Sequence, residues 1–144
     1  MGSSIPPDDK PVLLVDDDAV DVMTVKRAFR QMRVMNQLVV KGDGEEALEY
    51  LRSAPVLPRL ILLDLNMPKM NGLEFLQEIK SDEVFSAIPV IVLSTSGENS
   101  DVSACFRNSV VAYIVKQHSH DQFVRELRIY NTYWTTDTQA QTDL

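Results

Sequence analysis

Four short apolar runs in this chain each stop on a polar residue. Val12-Leu13-Leu14-Val15 runs into Asp16, Asp17 and Asp18, and Leu60-Ile61-Leu62-Leu63 runs into Asp64. Val90-Ile91-Val92-Leu93 ends at Ser94, and Val110-Val111-Ala112-Tyr113-Ile114-Val115 ends at Lys116. In an open parallel α/β sheet, ligands bind outside the carboxyl ends of the strands. Such a sheet gathers Asp16, Asp17, Asp64, Ser94 and Lys116 at one edge. Carboxylates held close together repel one another and raise each other's pKa unless a cation sits among them. Hard oxygen ligands favour Mg²⁺, which keeps several waters and leaves room for a phosphate oxygen. A lysine and a hydroxyl beside such a metal suit the holding of a phosphoryl group, so the pattern describes a site as well as a fold.

Between these runs the periodicity changes to that of helices. Val22, Val25, Phe29 and Met32 give Ala19 to Met32 the three-to-four spacing of a half-buried helix. Leu38-Val39-Val40 reads as a short strand. Gly44 introduces a second helix, Glu45 to Leu51, with Ala47, Leu48 and Leu51 as its stripe. Pro55 and Pro58 punctuate the loop before the central strand, since proline neither continues a helix nor favours one before it. A loop from Asn66 to Asn71 leads to Gly72, which opens a third helix carrying Leu73, Leu76 and Ile79. Val102, Cys105 and Phe106 mark a fourth. Ser119 and Gln122 have the spacing of a capping box, and the helix they start carries Phe123, Leu127, Tyr130 and Trp134 on one stripe.

Five strands alternating with five helices, joined by right-handed crossovers, predict an α/β fold with a doubly wound, flavodoxin-like parallel sheet of order 2-1-3-4-5. Residues 1–9, with Gly, Ser and Pro and little apolar content, read as a flexible lead. Residues 10–134 read as one domain and residues 135–144 as a flexible tail of Thr, Gln and Asp.

A formal charge of −7 over 144 residues argues against a nucleic-acid surface, which needs a basic stripe. No run is long enough to cross a bilayer and no signal-peptide pattern opens the chain. The single cysteine, Cys105, cannot form an internal disulfide and reads as a small helix residue against the sheet. These features predict a cytoplasmic protein. Tyr130, Tyr133 and Trp134 cluster near the end of the last helix. A second copy could cover them as a homodimer, or they could fold back on their own core.

The order and surroundings of the strand-end residues resemble the receiver domain of two-component response regulators, over roughly Lys10 to Trp134. The motifs are Val-Leu-Leu-Val-Asp-Asp, Leu-Asp-Leu-Asn-Met-Pro-Lys-Met-Asn-Gly-Leu-Glu-Phe-Leu, Pro-Val-Ile-Val-Leu-Ser-Thr-Ser and Ala-Tyr-Ile-Val-Lys. Within the family the chain looks most like the stand-alone receivers that partner phytochrome-type and other sensor kinases. The resemblance implies Asp64 as nucleophile and phosphoacceptor, a carboxylate active only when a metal and a cation offset the incoming charge. It implies Mg²⁺ bound directly by Asp17 and Asp64, through a water by Asp16, and by the backbone carbonyl of Asn66. Ser94 and Lys116 then hold phosphoryl oxygens and Tyr113 is the switch aromatic. Thr95 is a secondary candidate for the switch hydroxyl, and Asp18 is assigned instead to capping the first helix. The implied partners are a sensor histidine kinase or phosphotransfer protein and a downstream protein target.

Gln117 departs from the family pattern, which has proline after the lysine, joined through a cis peptide. A cis bond before a non-proline residue costs roughly 3–4 kcal/mol. The sequence therefore predicts a trans Lys116–Gln117 bond, a shifted loop, and a Lys116 that reaches the site by another path or only when phosphate draws it in. His118 and His120 are too close to a helix start, and too short of further ligands, to build a metal site. A haloacid-dehalogenase-like phosphatase needs a second Asp two residues after the nucleophile, where this chain has Asn66. A degenerate receiver that binds partners without phosphorylation stays as the alternative reading. A dinucleotide site is excluded, because no Gly-x-Gly-x-x-Gly turn follows the first strand.

Overall fold

The computed structural model describes residues 10–65, 67, 70–94, 99–116 and 119–136. Five parallel strands form one sheet in the order β2-β1-β3-β4-β5. They are β1 (Val12–Val15), β2 (Leu38–Lys41), β3 (Leu60–Asp64), β4 (Val90–Ser94) and β5 (Ala112–Val115). The helices are α1 (Ala19–Gln31), α2 (Gly44–Ser53), α3 (Gly72–Lys80), α4 (Asn99–Arg107) and α5 (His120–Arg128).

Alternate strand residues point to opposite faces, and both faces are covered, which is why the strands read as unbroken apolar runs. Val12, Leu14, Leu60, Leu62, Ile91 and Leu93 pack with α1 and α5 residues such as Val25, Phe29, Phe123 and Leu127. Leu13, Val15, Ile61, Leu63, Val90 and Val92 pack on the other face with Leu48, Phe75, Leu76, Ile79 and Cys105. Phe75 is fully buried although the expected stripe of its helix passed over it, whereas Phe106 is half exposed.

The registers place the polar ends side by side. Val15 lies opposite Lys41 and Leu63, Asp64 opposite Leu93, and Ser94 opposite Val115. Hydrogen bonding continues one residue further, from Asp16 N to the Lys41 carbonyl at 3.0 Å and from Lys116 N to the Ser94 carbonyl at 2.7 Å. Strand β5 begins at Ala112, with Val110 buried just before it.

The end of the chain corrects the expected last helix. Helix α5 stops at Arg128 and a 3₁₀ turn follows at Asn131–Tyr133. Trp134 lies beyond both, 4% exposed, with its ring 5.5 Å from that of Phe29. The aromatic stripe therefore folds back on its own core, with Tyr130 and Tyr133 partly buried against the same cluster. Thr135 and Thr136, the first residues of the expected tail, are tied to the α1–β2 connection. The Met35 amide donates to the Thr135 carbonyl at 2.7 Å, and Thr136 bridges to Val34.

Candidate functional site

The acid edge is assembled by strand ends and the helix starts that follow them. Asp18 caps α1: its Oδ1 accepts from Val20 N at 2.8 Å, as expected of a residue at that position. The Asp18 amide in turn donates to Asp16 Oδ1 at 3.0 Å, which fixes the buried Asp16 carboxylate under the first turn. On the other side of β3, Asn71 and Glu74 form a reciprocal capping box at the start of α3. At Ser119, where the sequence predicts a capping box, Oγ accepts from Gln122 N at 3.2 Å as one half of it. Gly72 lies against the backbone of Asp64 and Leu65, so close that any Cβ there would collide with the Asp64 carbonyl. Its amide donates to the Leu65 carbonyl at 2.9 Å. Glycine at this position lets α3 approach the strand end that carries Asp64.

Asp16, Asp17 and Asp64 each offer a carboxylate oxygen, and these oxygens lie within 4.8 Å of one another. Asp16 and Asp64 are buried and Asp17 is exposed. Lys116 enters from β5, with Nζ 3.2 Å from Asp16 Oδ2 and 3.5 Å from Asp64 Oδ1. Its shortest contact is to Asp21 Oδ2, at 2.7 Å, from the first turn of α1. Ser94 is fully buried at the end of β4. Tyr113 is partly buried, packed against the cluster that holds Cys105. The strand-end residues are therefore brought to one edge, with Lys116 placed among the carboxylates. Asn66, Thr95, Gln117 and His118, and with Gln117 the expected trans bond, lie outside the described residues. His120 Nε2 sits 3.0 Å from Gln31 Oε1.

Burial holds the Asp16 carboxyl above its ordinary value, against the opposing pull of the Asp18 amide and the Lys116 ammonium. Burial draws the Lys116 ammonium down, but Asp21, Asp16 and Asp64 together outweigh it and hold its pKa up. The lysine stays charged, while the buried acid it faces is only partly compensated. Converging hard oxygens with excess negative charge fit a small divalent cation such as Mg²⁺.

A profile described as the response regulator receiver domain matches residues 12–128. The chain belongs to the response regulator receiver family. Among its relatives is the probable methanogenesis regulatory protein FilR2 of Methanothrix harundinacea, 37% identical over 127 residues, covering 85% of this chain and 82% of the relative. The response regulator Rcp1 of Synechocystis is 33% identical over 130 residues, covering 87% of this chain and 88% of its own. The crystal structure of the phosphorylated cyanobacterial phytochrome response regulator RcpA superposes with a TM-score of 0.78. It is 37% identical, over 87% of this chain and 93% of that one. The Mn²⁺-bound form of Rcp1 gives 0.77 at 32% identity, covering 87% and 94%. Mg²⁺ binding and phosphorylation are general to receivers of this family, which act as phosphoacceptor switches.

One site residue was missed from sequence. Asp21 carries no motif and lies 95 positions from Lys116. The available signal was positional: the first turn of α1 starts at the same sheet edge as the lysine. Among the described residues, no helix is long and apolar enough to cross a membrane.

Proposed function

We propose that this receiver takes a phosphoryl group onto Asp64 from the phosphohistidine of a sensor histidine kinase or phosphotransfer protein in the cytoplasm. The observation that carries this is the convergence of Asp16, Asp17 and Asp64 within 4.8 Å, with Lys116 Nζ 3.5 Å from Asp64. In the transfer, an Asp64 carboxylate oxygen forms a new P–O bond while the N–P bond of the donor breaks and its electron pair returns to the imidazole nitrogen. Asp16, Asp17 and Asp64, with the Asn66 carbonyl by family resemblance, are the residues that would hold Mg²⁺. When bound, that ion supplies positive charge against the phosphoryl oxygens. Lys116 donates an N–H to another of those oxygens, and the Ser94 hydroxyl takes a third. The buried strand ends exclude water from the acceptor side, so positioning and charge do the catalytic work.

Movement of Ser94 toward the phosphoryl group would open space for Tyr113 to turn inward and remodel the face of α4, β5 and α5. The output is altered binding to a downstream protein. The kinship with RcpA and Rcp1 favours a phytochrome-type sensor as donor.

The test is transfer of a labelled phosphoryl group from candidate kinases in Mg²⁺, with Asp64→Asn as control. Wild type is expected to take up label and the variant none. Label on Asp64→Asn at the wild-type rate would end the acceptor assignment.

A further inference from the structure

An ammonium has three N–H groups to give. In Lys116 two of them are engaged, by Asp21 Oδ2 at 2.7 Å and Asp16 Oδ2 at 3.2 Å, while Asp64 Oδ1 stands off at 3.5 Å. The strongest hold on this lysine thus comes from outside the strand-end set. The carboxylates also differ in freedom. The Asp16 side chain is 0% exposed and that of Asp64 6%, whereas that of Asp21 is 28% exposed. A cavity of about 230 Å³ opens beside it, lined by Asp21, Thr24, Arg27, Lys116, His120 and Phe123. Asp21 is therefore the one partner of Lys116 that can swing aside without repacking the core.

We propose that Asp21 is a positioning residue that tethers the Lys116 ammonium on the α1 side of the site and so restrains phosphoryl uptake at Asp64. This rests on the acceptor reading above. A carboxylate 2.7 Å from the ammonium cancels much of the field that a phosphoryl group on Asp64 would otherwise feel. It also occupies an N–H that could turn toward a phosphoryl oxygen. On uptake, Lys116 rotates toward the new anion and Asp21 moves into the adjoining cavity. The tether keeps the ammonium ordered and charged between uses, and its release is an added cost of each phosphorylation.

Acetyl phosphate with Mg²⁺ tests this without a kinase. An Asp64 oxygen forms the P–O bond as the phosphorus–oxygen bond to acetate breaks, the electron pair leaving with acetate. Asp21→Asn is expected to speed uptake roughly twofold to fivefold, the size of a partly exposed ion pair. Asp21→Glu, which keeps the charge, should restore the slow rate. In a Lys116→Met background, Asp21→Asn should change nothing, because Asp21 acts through the lysine. A second readout needs no phosphate: in protein with carbon-labelled lysine, the Lys116 ε-methylene resonance should move in Asp21→Asn and hold in Asp21→Glu. Uptake by Asp21→Asn at or below the wild-type rate, or equal acceleration without Lys116, overturns the proposal. Wild-type uptake with an unmoved Lys116 resonance defeats the tether alone. No uptake by wild type defeats the acceptor reading, and the restraint falls with it.

Discussion

The two ends of the sheet bury polar groups in opposite ways. At the amino end Asn36 is 7% exposed and both halves of its amide are answered. Its Nδ2 donates to the Lys10 carbonyl at 2.7 Å and its Oδ1 accepts from Thr135 N at 2.6 Å. At the carboxyl end Asp16 and Asp64 are buried as deeply, but as carboxylates that share the Lys116 ammonium with Asp21. A neutral amide with matched partners closes a structure. Buried charges of one sign in excess leave it prepared for a cation and an anion. The difference separates what holds this molecule together from what it is folded to do, and substitutions at the two ends should separate stability from phosphoryl uptake.

The largest effect is expected at the amino end. Trp134→Ala removes a buried aromatic packed on Phe29 and should destabilise the fold by about 3–5 kcal/mol, the usual cost of such a truncation. The folded fraction should still take up phosphate at the wild-type rate. Chemical denaturation paired with uptake below the transition checks both. A folded variant with impaired uptake would show that the two ends are coupled.

That Trp134 matters in this way was only half legible. Phe123, Leu127, Tyr130 and Trp134 keep a helical spacing, so nothing in the periodicity signals that the helix ends at Arg128. The aromatic residue reaches the core from an extended backbone instead. The strands were legible because a sheet covered on both faces demands continuous apolar runs. Asp16, Asp64, Ser94 and Lys116 were legible because parallel register carries strand ends to one edge. Contacts that depend on distant partners were not. Asn36 meets Lys10 and Thr135, 26 and 99 positions away, and nothing local marks it as buried. Asp21 escaped for the same reason: its role is set by where Lys116 arrives.

Asn36→Ala should come next in size. Truncation takes these bonds from the half-buried Thr135 amide and from the Lys10 carbonyl, at a cost of about 1–3 kcal/mol for the two together. Faster amide exchange should spread along Val34–Met35 and Thr135–Thr136, where the terminal segment is pinned. Exchange that rose equally at the carboxyl end would argue that the clasp supports the whole sheet and not its own end.

Asp16→Asn should have the smallest effect on stability and the opposite sign. The variant keeps the shape of the carboxylate without its charge, and Lys116 still faces Asp21 and Asp64. Burial raises the Asp16 pKa, so the folded protein holds that proton more tightly than the unfolded chain does. For an acid shifted upward, the stabilising contribution is complete below the ordinary value of 3.8 and is lost as pH rises through the folded value. Wild type therefore carries the cost of an ionised buried Asp16 at neutral pH, and the variant does not. In Mg²⁺-free buffer Asp16→Asn should melt slightly higher than wild type at neutral pH, with the advantage shrinking as pH falls toward the ordinary carboxylate range. Added Mg²⁺ should raise the melting point of wild type more than that of the variant, because the wild-type site keeps the full set of carboxylates, and phosphoryl uptake by the variant should be slow. Thermal melts across pH, with and without Mg²⁺, read all of this at once. A variant less stable than wild type in metal-free neutral buffer would mean that the carboxyl end is as well satisfied as the amino end, and that the contrast between them does not hold.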